Sequence, residues 1–315
     1  MNVQSNAPLF RDPLYDGAAD PTVIYNEKEK NWWMLYTQRR PNLPTAGVSS
    51  AYGCRIGVAV SDDGGEYWYY RGTLDLEFEF GHNTFWAPEV IYANGLYHMY
   101  VTYIRGIHSK WKGDSRILYY TSKDIMNWKL EGPVEIPSER AIDACIFPLP
   151  DHKYRMWYKD ERLGSHIVAA DSDDLHQWSI VGEAITDCAS EGPNVFEFQG
   201  KYYMIVDCWD GFGVYQSEDL IHWIRQPENI LRNPGKRPFD GSIGLHGDVV
   251  VSKGRAYIFY FTHPNRTSDF LRRYEGMDHI DIPVSMNVTA IQVAELVIRN
   301  GFLVCDRDQD FVLDL

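Results

Sequence analysis

Five stretches of the chain repeat one pattern, and that repeat restricts the possible folds more than any other feature. They are "ADPTVIYNEKEKNWWMLYTQ", "WAPEVIYANGLYHMYVTY", "IDACIFPLPDHKYRMWYKD", "SEGPNVFEFQGKYYMIVD" and "LHGDVVVSKGRAYIFYFT". Each opens on a small or charged residue, continues in a short β-branched or aromatic run, turns through polar residues and ends in an aromatic-rich run. A unit of about 50 residues of this kind cannot bury its apolar faces alone and must pack on its neighbours. Long helical periods are nearly absent, while strand-like runs and turn signals alternate. The pattern predicts an all-β, five-bladed β-propeller. One domain is expected over residues 1–315, with blades starting near residues 20, 87, 143, 191 and 246. A parallel β-solenoid is the competing repeat fold, but its repeats are shorter and its strands less aromatic than a chain with 14% Phe, Trp and Tyr.

A second repeated element follows the first. "SDDGGEYW", "SKDIMNW", "SDDLHQW" and "SEDLIHW" hold Ser, Asp and Trp at nearly fixed offsets. Short polar side chains bond their own backbone in such turns, so Trp68, Trp128, Trp178 and Trp223 are read as structural. Near the end, "NVTAIQVAELVIRNGFLV" supplies strands after the fifth repeat. The residues before Asp20 are candidates to complete the last sheet.

Composition narrows the partners. The net charge of −14 and the lack of any Lys/Arg run exclude a nucleic-acid footprint. An acidic surface favours a neutral ligand, here an oligo- or polysaccharide. Cys54, Cys145, Cys188, Cys208 and Cys305 form no CxxC pair, so no zinc knuckle or disulfide framework is expected. No apolar run is long enough to span a membrane. "MNVQSNAPLF" is not a signal peptide. A cytoplasmic protein is expected as written, or a periplasmic or secreted one if an export signal has been removed.

In a propeller the first strand of each blade lines the central axis. Aligning the first strands puts Asp20, Ala87, Asp143, Glu191 and His246 at, or within one residue of, the same place. Three carboxylates and an imidazole would face one pocket. Like charges so gathered raise one another's pKa, an arrangement usually kept for chemistry. Two carboxylates flanking a glycosidic bond suffice to cleave it, and a third tunes the proton donor.

At these residues the chain resembles glycoside hydrolase family 43 and its five-bladed relatives, the clan that holds the arabinanases. "ADP", "WAPEV", "AID", "SEGP" and "LHGD" match the family's blade motifs in order. The third motif departs in having Ala144 after Asp143, and the fifth in having Leu245 before His246. The resemblance implies an inverting glycosidase with Asp20 as general base, Glu191 as general acid and Asp143 as the acid that orients it and tunes its pKa. It implies no required cofactor, but a structural calcium on the axis near His246, which would act through water because calcium prefers oxygen ligands.

Other residues have weaker signals. Trp86 and Trp209 are candidate stacking platforms for sugar rings, and Arg39 and Arg40 candidate partners of sugar hydroxyls. Glu89 and Asp248 are read as structural, with Glu89 one residue past the axis position and on the other strand face. The insertions "RRPNLPTAGVSSAYG" and "THPNRTSDFLRRYEGMDHIDIP" would wall off the funnel, which favours exo action. An α-L-arabinofuranosidase or β-xylosidase acting on plant-type polysaccharide fragments is the default expectation. Galactan-, galactofuranose- or anhydrogalactose-directed activity is the alternative within the enzyme class. Outside it stands a non-catalytic carbohydrate-binding propeller, against which the three retained acids count. A sialidase would need six blades, and a WD-type interaction propeller its Gly-His and Trp-Asp pairs.

Overall fold

The computed structural model describes residues 5–266 and 282–315, so most of the second insertion lies outside the described residues. Five sheets of four antiparallel strands follow one another along the chain. Blade 1 holds β1 (Ala18–Asn26), β2 (Asn31–Gln38), β3 (Arg55–Ser61) and β4 (Tyr69–Thr73). Blade 2 holds β5 (Thr84–Ala93), β6 (Leu96–Ile104), β7 (Ser115–Ser122) and β8 (Trp128–Pro133). In blade 3 are β9 (Ala141–Pro148), β10 (Tyr154–Asp160), β11 (His166–Ser172) and β12 (Ser179–Ile185). Blade 4 consists of β13 (Glu191–Phe198), β14 (Lys201–Asp207), β15 (Phe212–Ser217) and β16 (Ile224–Arg225). Blade 5 consists of β17 (Leu245–Ser252), β18 (Arg255–Thr262), β19 (Ala290–Arg299) and β20 (Phe302–Cys305). The expected five-bladed propeller is the fold of the protein.

Each apolar cluster is shared by two consecutive blades, which is why no repeat can fold alone. On β2, Met34 and Tyr36 pack toward blade 5 with Phe259 and Phe261, whereas Trp33 and Leu35 pack toward blade 2 with Met99 and Val101. That is the two-residue side-chain period of a strand buried on both faces. The fourth strands β4, β8 and β12 are largely exposed, as the rim of a propeller requires.

The Ser–Asp–Trp elements are the turns between third and fourth strands. In blades 2, 3 and 4 the serine hydroxyls of Ser122, Ser172 and Ser217 accept from two amides each, and Asp124, Asp174 and Asp219 accept from two more. Trp68 and Trp128 donate back to the turn carbonyls of Gly65 and Ile125.

Blade 5 draws all four strands from the C-terminal part, so the N-terminal segment does not complete the sheet as a strand. It seals the seam between blades 5 and 1 by single bridges, Phe10 to Ile291 and Gly17 to Thr289. The C-terminal tail closes the same seam, with Phe311, Leu313 and Leu315 in the cluster shared by these blades.

Every first strand carries a one-residue bulge near its head, marked by register shifts after Ala19, Trp86, Ile142, Glu191 and Leu245. The residue that follows has positive φ in all five: Asp20 (48°), Ala87 (43°), Asp143 (58°), Gly192 (52°) and His246 (23°). Non-glycine residues rarely adopt this conformation, and it re-aims their side chains.

Two residues beyond each bulge a second ring forms. The Glu89 carboxylate accepts from the Ile146 amide at 2.9 Å, Cys145 Sγ from Val195 at 3.3 Å, Asn194 Oδ1 from Val249 at 3.1 Å, and Asp248 Oδ2 from Val23 at 2.7 Å. Each side chain thus holds the first strand of the next blade, and Asp248 closes blade 5 onto blade 1. Glu89 thus has the structural role expected of it, bonding backbone between blades; burial raises its carboxyl to about 8, and the charge of Asp248 adds to this. Asp248 is raised to about 6, also by burial.

Asp248 also accepts from Asn194 Nδ2 at 2.8 Å. Asp248→Ala would orphan two buried donors and is expected to lower unfolding free energy by about 3 kcal/mol. Asp248→Asn, which keeps an acceptor oxygen, should lose clearly less. Urea denaturation of the two variants beside the parent checks this.

Candidate active site

The five bulges bring together most of the expected residues. Asp20 and Asp143 are buried, and His246 Nδ1 lies 3.9 Å from the Asp20 carboxylate and 3.8 Å from that of Asp143. Ala87 occupies the equivalent position in blade 2. Glu191 does not, because Gly192 stands at the bulge of blade 4. A Cβ on Gly192 would come within 2.8 Å of the His246 ring, so glycine there makes room for the imidazole. Glu191 leaves its strand one residue earlier and enters the site from the side.

Two residues that the sequence reading missed complete the site. Lys159 Nζ donates to Glu191 Oε2 at 2.9 Å, and His246 N donates to Asp207 Oδ2 at 2.9 Å. Their signal is in the second strands, where Thr37, Thr102, Lys159, Asp207 and Phe261 pair with the residue before each bulge. The two threonines support the bulge of the next blade with a neutral hydroxyl. Thr37 Oγ1 accepts from the Ala87 amide at 2.8 Å and Thr102 Oγ1 from the Asp143 amide at 2.9 Å. Blades 3 and 4 replace threonine by charged groups, and both charges sit beside Glu191.

Trp209, the exposed indole after β14, donates Nε1 to Glu191 Oε1 at 3.0 Å, and the Lys159 ammonium lies 5.1 Å from its ring. Both oxygens of Glu191 are thus engaged, one by a cation and one by an aromatic donor. Arg39 reaches Asp20 at 3.3 Å and lies over the Phe261 ring at 4.7 Å, with its Nε buried and without a hydrogen-bond partner.

Arg40 is placed elsewhere. It donates to the carbonyls of Ser49 and Tyr52 and holds the loop of the first insertion rather than facing the axis. Trp86 donates to the Ala51 carbonyl of that loop and meets Tyr52 edge-on, with ring centroids 4.8 Å apart. The loop is pinned in turn to the one after β6, where the Val48 amide donates to Ser109 O at 3.1 Å and Tyr52 Oη to Lys112 O at 2.9 Å. These loops and Trp86 form one wall over blades 1 and 2.

Electrostatics follow from burial. Removal from water pushes Asp143 and Asp207 each up to about 7; the charge of Glu191 adds to this in both, while His246 opposes it. Burial disfavours the His246 imidazolium, yet Asp143, Asp20, Glu191 and Asp207 more than offset this and raise its pKa. Lys159 behaves alike, with burial against its charge and Glu191, Asp143 and Glu161 outweighing it.

The donor set does not fit a directly bound calcium, which takes six to eight oxygens. The centre of the ring is the His246 imidazole, a nitrogen donor, against Asp20 and Asp143. No group of three or more His, Cys, Asp or Glu side chains among the described residues is spaced to hold a metal ion.

An axis of this construction, with carboxylates from separate blades converging below an aromatic wall, defines a glycosidase of the five-bladed propeller class. The pattern of Glycosyl hydrolases family 43 matches residues 73–210. A 1,2-beta-oligomannan phosphorylase from Thermoanaerobacter sp. (strain X514) is 32% identical over 239 residues, 68% of this chain and 78% of that protein. Among solved structures, a thermostable family-43 glycoside hydrolase superposes with TM-score 0.69 at 21% identity, covering 94% of this chain and 96% of its own. The GH43_1 enzyme from Xanthomonas citri complexed with xylotriose gives 0.67 at 14% identity, covering 96% and 93%. The resemblance to family 43 that the motifs implied is borne out over residues 73–210 and in the five-bladed fold, and the chain belongs to the same family as the oligomannan phosphorylase it matches.

The raised Asp207 pKa has a measurable consequence. Between its unfolded value of 3.8 and its folded value of about 7, the folded state binds the extra proton. The stability this group confers is therefore full below pH 4 and fades as pH rises to 7. Asp207→Asn should remove that decline, so the free energy of the variant relative to the parent is expected to improve between pH 4.5 and 7.5. The gain is at most about 1.4 kcal/mol per pH unit. Denaturant unfolding at several pH values reads it.

Proposed function

We propose that the chain cleaves the terminal glycosidic bond of an oligosaccharide with inversion, Glu191 acting as general acid and Asp20 as general base. The observation that carries this reading is the placement of the two acids. They come from blades 4 and 1, with His246 of blade 5 between them on one side of the ring and blades 2 and 3 on the other. Glu191 gives its proton to the leaving oxygen. Asp20, oriented by Arg39, takes a proton from the water that attacks the opposite face of the sugar. The leaving oxygen takes the place of one donor on Glu191, and the exposed Trp209 indole is the one free to move. The pinned loops over blades 1 and 2 support exo action, since they wall one side of the funnel.

For the sugar, the oligomannan phosphorylase is a better guide than the structural neighbours, because those share only the fold at this level of identity. A β-linked manno-oligosaccharide is accordingly the first donor to test, ahead of the arabinofuranosides and xylosides that the blade motifs suggest. The same relative supports a second reading, in which inorganic phosphate replaces water. Arg39 fits that role through its unpartnered buried Nε. Arg266 lies near enough that Arg39, together with burial, lowers its pKa to about 9. Asp20 favours water, since phosphate brings its own nucleophilic oxygen and needs no base.

Manno-oligosaccharides and nitrophenyl mannosides, xylosides and arabinofuranosides, incubated with and without phosphate, separate these readings by product. Free sugar of inverted anomeric configuration is expected, and sugar 1-phosphate would establish the second reading. Glu191→Gln should lower turnover of unactivated substrates by on the order of 10³-fold. With a dinitrophenolate leaving group, which needs no proton, most of that loss should disappear. Equal loss on both substrates would remove Glu191 from the role of acid.

A further inference from the structure

Cys188 and Cys208 lie across the mouth of blade 4, their sulfurs 3.6 Å apart. Neither belongs to a strand. Cys188 stands three residues before Glu191, and Cys208 lies between Asp207 and Trp209. Glu191 and Asp207 are register partners, so the two thiols close the open end of the β13–β14 ladder just beyond the site. Both are partly exposed, unlike the buried Cys54 and Cys145.

The surroundings distinguish the two sulfurs. Cys188 Sγ is 3.4 Å from Tyr215 Oη, which itself donates to Asp187, and Arg225 holds the other oxygen of Asp187 at 3.0 Å. The thiol of Cys208, 3.6 Å away, and the Arg225 charge favour a thiolate at Cys188 and lower its pKa, while the neighbouring Cys188 and burial raise that of Cys208. One partner is thus a nucleophile and the other a resolving thiol.

We propose that Cys188 and Cys208 are a reversible dithiol–disulfide pair, a modification site that sets the position of Trp209 against Glu191. With a low-molecular-weight disulfide such as oxidised glutathione, the Cys188 thiolate attacks one sulfur and expels one glutathione thiolate. Cys208 then loses its proton to solvent, and its sulfur attacks the Cys188 sulfur of the mixed disulfide, expelling the second. The protein dithiol is oxidised by two electrons, and the glutathione disulfide is reduced to two thiols. The sulfurs must approach from 3.6 Å to the length of a covalent bond, about 2.05 Å, so the turn that carries Trp209 shifts with Cys208. Bond formation stands apart from the glycosidase reading of Glu191; only its effect on turnover rests on that reading.

The test equilibrates the full-length protein in glutathione buffers from reducing to oxidising. Oxidation is expected to yield a Cys188–Cys208 peptide pair in non-reducing mass spectrometry, two hydrogens lighter, and a change in tryptophan fluorescence that Trp209→Phe abolishes. Turnover of the substrate found above should fall on the order of tenfold or more, since small displacements in an active site have effects of that size. Dithiothreitol should restore it. Cys208→Ser is expected to stop at the mixed disulfide with glutathione on Cys188, and Cys188→Ser to react slowly or not at all. Cys208→Ala and Cys188→Ala serve if a serine variant fails to fold. No intramolecular bond across the buffer series would overturn the proposal. A bond that forms with both tryptophan fluorescence and turnover unchanged would overturn the link to Trp209. If the fluorescence responds but the protein cleaves no glycoside in either state, the pair stands and the enzymatic reading fails.

Discussion

The structure depends on one recurring contact: a side chain just past the bulge of one blade accepts the backbone amide of the next. Glu89, Cys145, Asn194 and Asp248 make it in turn, and the last of these joins the final blade to the first. A propeller leaves its innermost strands with one edge facing the axis, where amides lack a sheet partner. A buried amide without an acceptor destabilises by about the value of a lost hydrogen bond. Satisfying those amides with side chains rather than a fifth strand keeps the axis narrow and polar. It also accounts for buried carboxyls with raised pKa values that have no part in catalysis.

The layer that carries the candidate active site lies beside it and is built from the same bulges. Positive φ at Asp20, Asp143 and His246 is a strained conformation for these residues, and strain of this kind persists only where the surroundings over-determine it. At Asp143 and His246 the surroundings are Thr102 and Asp207 of the second strands, which bond the strained backbone from the neighbouring blade. The site balances four carboxyls against Arg39, Lys159 and His246. Neither set would be tolerated alone at this depth. Together they place Asp143 and Asp207 around an acid whose two oxygens are engaged by Lys159 and Trp209.

Much of this was legible in the chain. Apolar alternation and the repeat period specify the blades, because a strand buried on both faces must be apolar on both. The Ser–Asp–Trp turns declare themselves, since their bonds are local. Asp20, Asp143, Glu191 and His246 were recognisable because each opens a repeat. Lys159 and Asp207 were not, for they stand at the ends of second strands, where the corresponding residues of the other blades are two threonines and a phenylalanine and the pattern is that of an ordinary strand terminus. Trp209 and Arg39 carried a signal too weak to separate from packing. Arg40 differs from Arg39 only in which way its strand end turns.

Local chemistry, then, determined what the sequence could determine by itself: strand, turn, blade number and the residues that head each blade. Tertiary structure alone decided which heads meet. The bulge inserts a residue invisible in the alternation pattern, setting Glu191 one position ahead of its counterparts. Distances across the axis decided the protonation of the acids and the approach of Cys188 to Cys208, because burial and charge act through space and not along the chain.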